Sequence, residues 1–219
     1  MKKVAILVDG GFYKKRAKTL FGEATPKARA DELFNYCLKH VGDNDLYRIF
    51  YYDCQPSDKV VYHPLTKKTV DLHKEPIYKW NKDFFAELIK KRKVALRMGE
   101  LQESELGYAL TGRATKRLCN GTIQVSDLTE QDFYLDITQK GVDMRIGLDI
   151  ASMAYKKQVD QMILIAGDSD FVPAAKHARR EGIDFILDPM WQQIKPSLQE
   201  HIDGLRTQCP KPTPPDQKK

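Results

Sequence analysis

Cysteine is scarce in this chain, and the four present, Cys37, Cys54, Cys119 and Cys209, are widely separated with no Cys-x-x-Cys pair among 219 residues. That spacing excludes a zinc knuckle and a disulfide framework and leaves reduced, structural thiols. Long hydrophobic runs are also missing: no stretch approaches the roughly 20 apolar residues needed to span a bilayer. The N-terminus enters strand-like sequence directly, without the apolar core and cleavage site of a signal peptide, so a cytoplasmic protein with no membrane association is expected. There is no P-loop lysine motif. Asp9-Gly10-Gly11-Phe12 is not a Gly-x-Gly-x-x-Gly turn and would place negative charge where a pyrophosphate sits, which excludes dinucleotide binding. No internal repeat is present. The formal net charge of +6 and pI near 9.0 modestly favour a polyanionic partner.

What the sequence does have is carboxylates at the ends of buried elements. The apolar runs Val4-Ala5-Ile6-Leu7-Val8 and Met162-Ile163-Leu164-Ile165-Ala166 have the pattern of parallel strands covered on both faces. Each stops at an aspartate beside glycine, Asp9-Gly10 and Gly167-Asp168, where an open α/β sheet meets the crevice outside its strand carboxyl ends. Asp9 and Asp168 are therefore expected to be neighbours. A third stretch, Lys140-Gly141-Val142-Asp143, leads a helix over 143–157 whose stripe is Ile146, Ile150, Met153 and Ala154; helical periodicity puts Asp143 on the Ile150 face, pointing inward. Gathered carboxylates raise one another's pKa unless a cation compensates, and a hard, oxygen-seeking ion such as Mg²⁺ or Mn²⁺ is the natural one. With such an ion, activation of water for attack on a phosphodiester is the chemistry this pattern supports.

The rest of the chain reads as strand and helix in alternation, hence a mainly parallel sheet. Helices are predicted over 12–20, 27–40, 80–92, 171–181 and 194–202, and strands over 45–53, 94–101 and 183–187. Residues 55–76 read as a long surface excursion, and 102–139 as a small inserted hairpin region with β-like pieces at 122–125 and 133–137. The Pro- and Lys-rich end lacks apolar residues and is expected to be disordered. At this length one α/β domain with insertions is expected rather than two.

Val-Asp-Gly-Gly-Phe near the start, Lys-Gly-Val-Asp leading a helix with Asp149, and Gly-Asp-Ser-Asp-Phe after a late strand together resemble the NYN domains of the LabA-like (DUF88) group, in the PIN-like nuclease superfamily. Phe-Tyr-Tyr-Asp at 50–53 and Leu-Arg-Met-Gly-Glu-Leu at 96–101 are similar to this group as well. The resemblance, over roughly residues 2–190, implies a PIN-like three-layer α/β fold, a mainly parallel central sheet flanked by helices; the domain is expected to occupy 1–203 with insertions around 54–79 and 102–139, followed by a disordered tail over 204–219. It further implies a metal-dependent endoribonuclease whose Mg²⁺ or Mn²⁺ is held by Asp9, Asp143, Asp168 and Asp170. Asp149 matches a further acidic position but sits at a different helical angle, so a supporting role is expected for it, as for Ser169, which is suited to bond a carboxylate or a phosphate. RNA, single-stranded or structured, is the expected partner, with self-association left open. Lys14, Lys15, Lys140 and Arg145 flank the acids and are expected to contact its phosphates.

Many NYN proteins carry an asparagine shortly after the first aspartate. Gly10, Gly11, Phe12 and Tyr13 stand there instead, so the role falls to Tyr13 or to nothing, and a catalytically weak RNA-binding module is the alternative function. A haloacid-dehalogenase-type phosphatase would need an aspartate at Gly11. Plainer roles also exist for each motif: the aspartates suit turns and helix N-caps, His63 and His73 suit a solvated loop, and 90–93 suits a helix C-terminus as well as a nucleic-acid patch. Tyr51 and Tyr52 read as ordinary strand residues, one inward and one outward.

Overall fold

Every residue from Val4 to Val8 is fully buried, and so are Met162 to Ala166; a strand with no polar face has to lie between two covering layers. The computed structural model is built around these two strands. It describes residues 1–102 and 106–212. The elements are, in chain order, β1 (Lys3–Asp9), α1 (Gly10–Phe21), α2 (Pro26–Val41), β2 (Asp45–Cys54), β3 (Val60–Tyr62), β4 (Thr69–Asp71), α3 (Pro76–Ile89), β5 (Val94–Leu101) and β6 (Gly107–Leu110). They continue with α4 (Gly112–Cys119), β7 (Phe133–Asp136), β8 (Gln139–Lys140), α5 (Val142–Tyr155), β9 (Gln161–Ile165), α6 (Val172–Arg180), β10 (Asp184–Asp188), α7 (Pro196–Gln199) and β11 (Gly204–Leu205).

By contact, the chain divides into two units, one comprising Met1–Cys54, Asp83–Gly99 and everything from Gly141, the other Gln55–Lys82 with Glu100–Lys140. The first contains a curled parallel sheet in the order β11-β10-β9-β1-β2-β5, flanked by helices. β1 pairs with β2 on one side and β9 on the other, Val8 lying opposite both Tyr51 and Ile165. The strand order reverses here, and this is the place in an open α/β sheet where ligands bind, outside the carboxyl ends. Tyr51 and Tyr52 are both fully buried. The expectation of one tyrosine facing outward is therefore corrected: β2 is an interior strand covered on both faces, and alternation does not apply to it.

The second unit takes in nearly all of the two stretches read as insertions. Residues 55–76 are more ordered than an excursion, since β3 and β4 form an antiparallel hairpin. β6 and β7 form another, and β8 pairs antiparallel with Glu100 and Leu101. His63 is buried, accepting from the Leu65 and Thr66 amides at Nδ1 (3.3 Å each) and packing its ring 4.3 Å from that of Tyr108 and 5.2 Å from that of Phe133. It joins the two hairpins, in place of the solvated loop expected for it. Residues 122–124 take no regular structure, and 125–127 form a single 3₁₀ turn rather than a strand.

The C-terminal side differs from expectation too. The helix expected over 194–202 is reduced to the four residues of α7, and Gly204–Leu205 adds a parallel strand to β10. Of the tail expected to be disordered, 213–219 lie outside the described residues. Between 206 and 209, Thr207 Oγ1 donates to Asp188 (2.8 Å), Gln208 N donates to the Tyr36 hydroxyl (3.2 Å) and Cys209 is buried. Asp188 closes this arrangement from the end of β10. It is fully buried and accepts from Tyr36 (2.5 Å), His40 Nε2 (2.8 Å), the Met190 amide (2.8 Å) and Thr207. Asp188→Ala leaves several buried donors without an acceptor, so the unfolding free energy of the variant, read from urea melts, is expected to fall by about 3–5 kcal/mol, as a lower midpoint at an unchanged m-value.

Candidate functional site

The acids reach one end of the sheet because α1 begins where β1 stops. Asp9 is the N-cap: its side chain accepts from the Phe12 amide at 3.0 Å. Helix and strand meet so tightly that a Cβ on Gly10 would lie 2.6 Å from the Tyr51 ring and from the Tyr52 carbonyl, which only glycine permits. Asp168 follows β9 and likewise caps a 3₁₀ turn, accepting from the Asp170 amide at 3.1 Å. Asp143 stands in the first turn of α5, after Gly141 at a positive φ of 77°. The capping roles are thus present for Asp9 and Asp168.

Electrostatics group these residues. Burial pushes the Asp9 carboxyl up to about 6, the Phe12 amide opposes this, and the charges of Asp143 and Asp53 add to the rise. Asp143 is raised first by partial burial and then by Asp168 and Asp170. Asp143, Asp168 and Asp170 are exposed, whereas Asp9 is half-buried. Asp143 therefore does not turn inward with Ile150: at the start of the helix, the face it shares has already left the core.

Among the described residues none of the four acids forms an ion pair, and no three His, Cys, Asp or Glu side chains meet closely enough to cage a metal ion. They form an open, mutually repelling set. An all-carboxylate donor set with uncompensated charge fits a hard divalent cation by its chemistry.

Sequence reasoning missed Asp53, although Phe-Tyr-Tyr-Asp had been noticed. It is buried at the end of β2, accepting from Tyr51 OH (3.0 Å) and the Cys54 amide (2.8 Å), with Lys14 Nζ at 2.8 Å. A strand whose last buried residue is an acid was the available signal. Lys14 is consequently engaged in an internal ion pair, 5.7 Å above the Phe85 ring. Lys15 and Arg145 are exposed, and Lys140 is exposed on β8 in the second unit. Asp149 is not among the charges that raise Asp9 or Asp143; it accepts from Tyr52 OH (2.8 Å) and Arg97 Nε (3.1 Å). Ser169 Oγ receives Lys195 Nζ at 3.1 Å. Tyr13 cannot replace the absent asparagine, because it is fully buried with its hydroxyl on Glu32 (2.9 Å). Of the cations at 90–93, Lys90 pairs with Glu87 at the surface, Lys91 with Asp31 and Lys93 with the Leu46 carbonyl, and Arg92 is exposed.

The model of the NYN domain family matches residues 86–204, more than half of the chain. The chain belongs to the NYN domain family. The family lies within the PIN-like superfamily and its members are generally nucleases. The matched segment includes Asp143, Asp168 and Asp170, while Asp9 and Asp53, at the ends of β1 and β2, lie outside it. No curated protein matches the chain. A crystal structure of a protein of unknown function from Vibrio parahaemolyticus is similar at 14% identity and a TM-score of 0.46, over 93% of this chain and 91% of that one. Among the described residues no helix is long and apolar enough to cross a membrane.

The raised Asp9 pKa has a definite thermodynamic sign. The folded state binds this proton more tightly than the unfolded chain, so the associated stability is fully present below the ordinary value of 3.8 and is lost as pH rises through about 6. Asp9→Asn keeps a capping oxygen and removes the charge. It is expected to gain about 1–3 kcal/mol over wild type at neutral pH and to flatten the stability slope between those two pH values, as read from guanidinium melts across that range.

Proposed function

We propose that this NYN protein is a metal-dependent endoribonuclease of the LabA-like kind, with Asp9, Asp143, Asp168 and Asp170 as the acids that hold Mg²⁺ or Mn²⁺. The observation that carries this reading is the electrostatic coupling: Asp143 feels Asp168 and Asp170, Asp9 feels Asp143, and no protein cation is bonded to any of them among the described residues. Bound there, the ion would supply water activation and charge neutralisation at a phosphodiester. Asp168 and Asp170 lie on the solvent side, where a polymer has access, while Asp9 lies deeper and holds its proton to about pH 6. Asp53 and Lys14 fix the floor by pairing with each other. Lys15 and Arg145 are the exposed cations of the same unit proposed to position phosphates without reading sequence.

A second reading, RNA binding with weak catalysis, is favoured by one observation, the burial of Tyr13 in an NYN chain that lacks the asparagine of many relatives. The two readings separate on cleavage of labelled single-stranded RNA, structured RNA and DNA with Mg²⁺, Mn²⁺ or EDTA. The nuclease reading expects metal-dependent cutting of RNA that falls to background in an Asp168→Asn, Asp170→Asn double variant. It also expects Mg²⁺ or Mn²⁺ to raise the melting temperature of the wild type and not of that variant. RNA binding without cutting, by a wild type whose melting temperature the metals leave unmoved, would establish the second reading.

A further inference from the structure

The acidic set raises a question about its substrate, since four carboxylates repel the phosphate they are proposed to act on. A donor must face them from somewhere. Lys14 is paired with Asp53, whereas Lys15 and Arg145 are exposed, and the segment that follows β10 brings two further donors to the 167–169 turn.

Lys195 Nζ donates to Ser169 Oγ at 3.1 Å, placing an ammonium beside the residue between Asp168 and Asp170. Among the described residues it forms no ion pair with either. Three residues earlier, Gln192 brings its amide to the same turn: Gln192 Nε2 lies 2.8 Å from the position a Cβ of Gly167 would take, with Phe12 Cε2 at 2.7 Å. A side chain at position 167 would push the ends of Gln192 and Phe12 aside. The Gln192 side chain itself makes no hydrogen bond among the described residues and is exposed, so its two donors are available.

The backbone leading to Gln192 is unusual. Met190 and Trp191 have φ of 45° and 64°, two consecutive side-chain-bearing residues in the left-handed region, a conformation kept only where the surroundings enforce it. Here they do. Asp188 takes the Met190 amide, Arg16 donates to the Met190 carbonyl through Nε (3.2 Å) and Nη2 (2.6 Å), Trp191 Nε1 donates to the Cys209 carbonyl (2.9 Å), and Gln192 N closes a turn onto Pro189 O (2.7 Å). The segment is fixed from three sides, and it presents an amide and a cation at the acid turn.

We infer that Gln192 and Lys195 are the phosphate-holding side of this site, receiving one backbone phosphate of a single RNA strand at the 167–169 turn. The inference rests on the nuclease reading for the identity of the polymer. Lys195 would give up the serine hydroxyl for the phosphate as a point charge, and Gln192 would donate to it from its side-chain amide.

Binding of a fluorescein-labelled single-stranded RNA to the full chain, read by anisotropy in EDTA over a series of KCl concentrations, tests it. Lys195→Ala is expected to weaken binding and to reduce the slope of log K against log salt by about 0.7, the value for one phosphate contact on a single strand, with Lys195→Arg restoring the slope. Gln192→Ala is expected to weaken binding about three- to ten-fold at every salt with no change of slope. Both side chains are exposed, so melting temperatures should match wild type. A Lys195→Ala protein with wild-type affinity and slope overturns the inference, as does a loss that Arg does not restore. If the wild type cuts RNA while these variants bind normally, only the inference fails. If RNA is bound with a slope that depends on Lys195 but is never cut, only the nuclease reading fails; if RNA is not bound, both fail.

Discussion

The arrangement depends on one constraint: the apolar runs Val4–Val8 of β1 and Met162–Ile165 of β9 are fully buried and must lie side by side in the interior. Burying them is favourable in proportion to area, and that gain offsets the repulsion between acids which the chain could otherwise separate. Asp9 cannot retreat without withdrawing β1 from the core, and Asp168 is tied to β9 in the same way. The site is therefore held in an electrostatically unfavourable state by packing some distance from it. The carboxyl of Asp9 is raised mainly by its own burial, and the charges of Asp143 and Asp53 add to the rise.

Where the sequence spoke through hydrophobic pattern, its reading agrees with the structure. The unbroken runs at 4–8 and 162–166 and the stripe of α5 account for the parallel sheet, the covering helix and the end of the sheet at which the acids gather. Where structure rests on particular long-range partners, the sequence was silent. Nothing local to His63 announces Tyr108 and Phe133, and nothing local to Lys14 announces Asp53. Periodicity also misled at the helix start, where Asp143 shares an angle with Ile150 but not its depth, and in β2, where aromatic residues were read as two-faced. Both errors have one source: angle along an element is encoded locally, whereas burial is set by what the fold places against it.

Composition carried less than position. The net charge of +6 favours a polyanion in general, yet several of the lysines most suggestive in the sequence are held within the fold: Lys14 by Asp53, Lys91 by Asp31, Lys93 by a carbonyl. Lys195 attracted no notice in the sequence, because its relation to Ser169 spans 26 positions and a strand. Cation counting overstates the surface available to a nucleic acid wherever buried or half-buried carboxylates claim the same groups.

Asp188 ties together three parts of the chain that share no sequence neighbourhood: α2 through Tyr36 and His40, the turn after β10 through Met190, and the C-terminal stretch through Thr207. A peripheral segment ordinarily opens by itself, with an opening free energy near zero. Here release of Thr207 exposes a carboxylate that also anchors a helix and the turn carrying Gln192. The amides of these three parts should consequently exchange with solvent as one cooperative unit, and a disturbance of 206–209 would be felt at the site as a loosening of that turn.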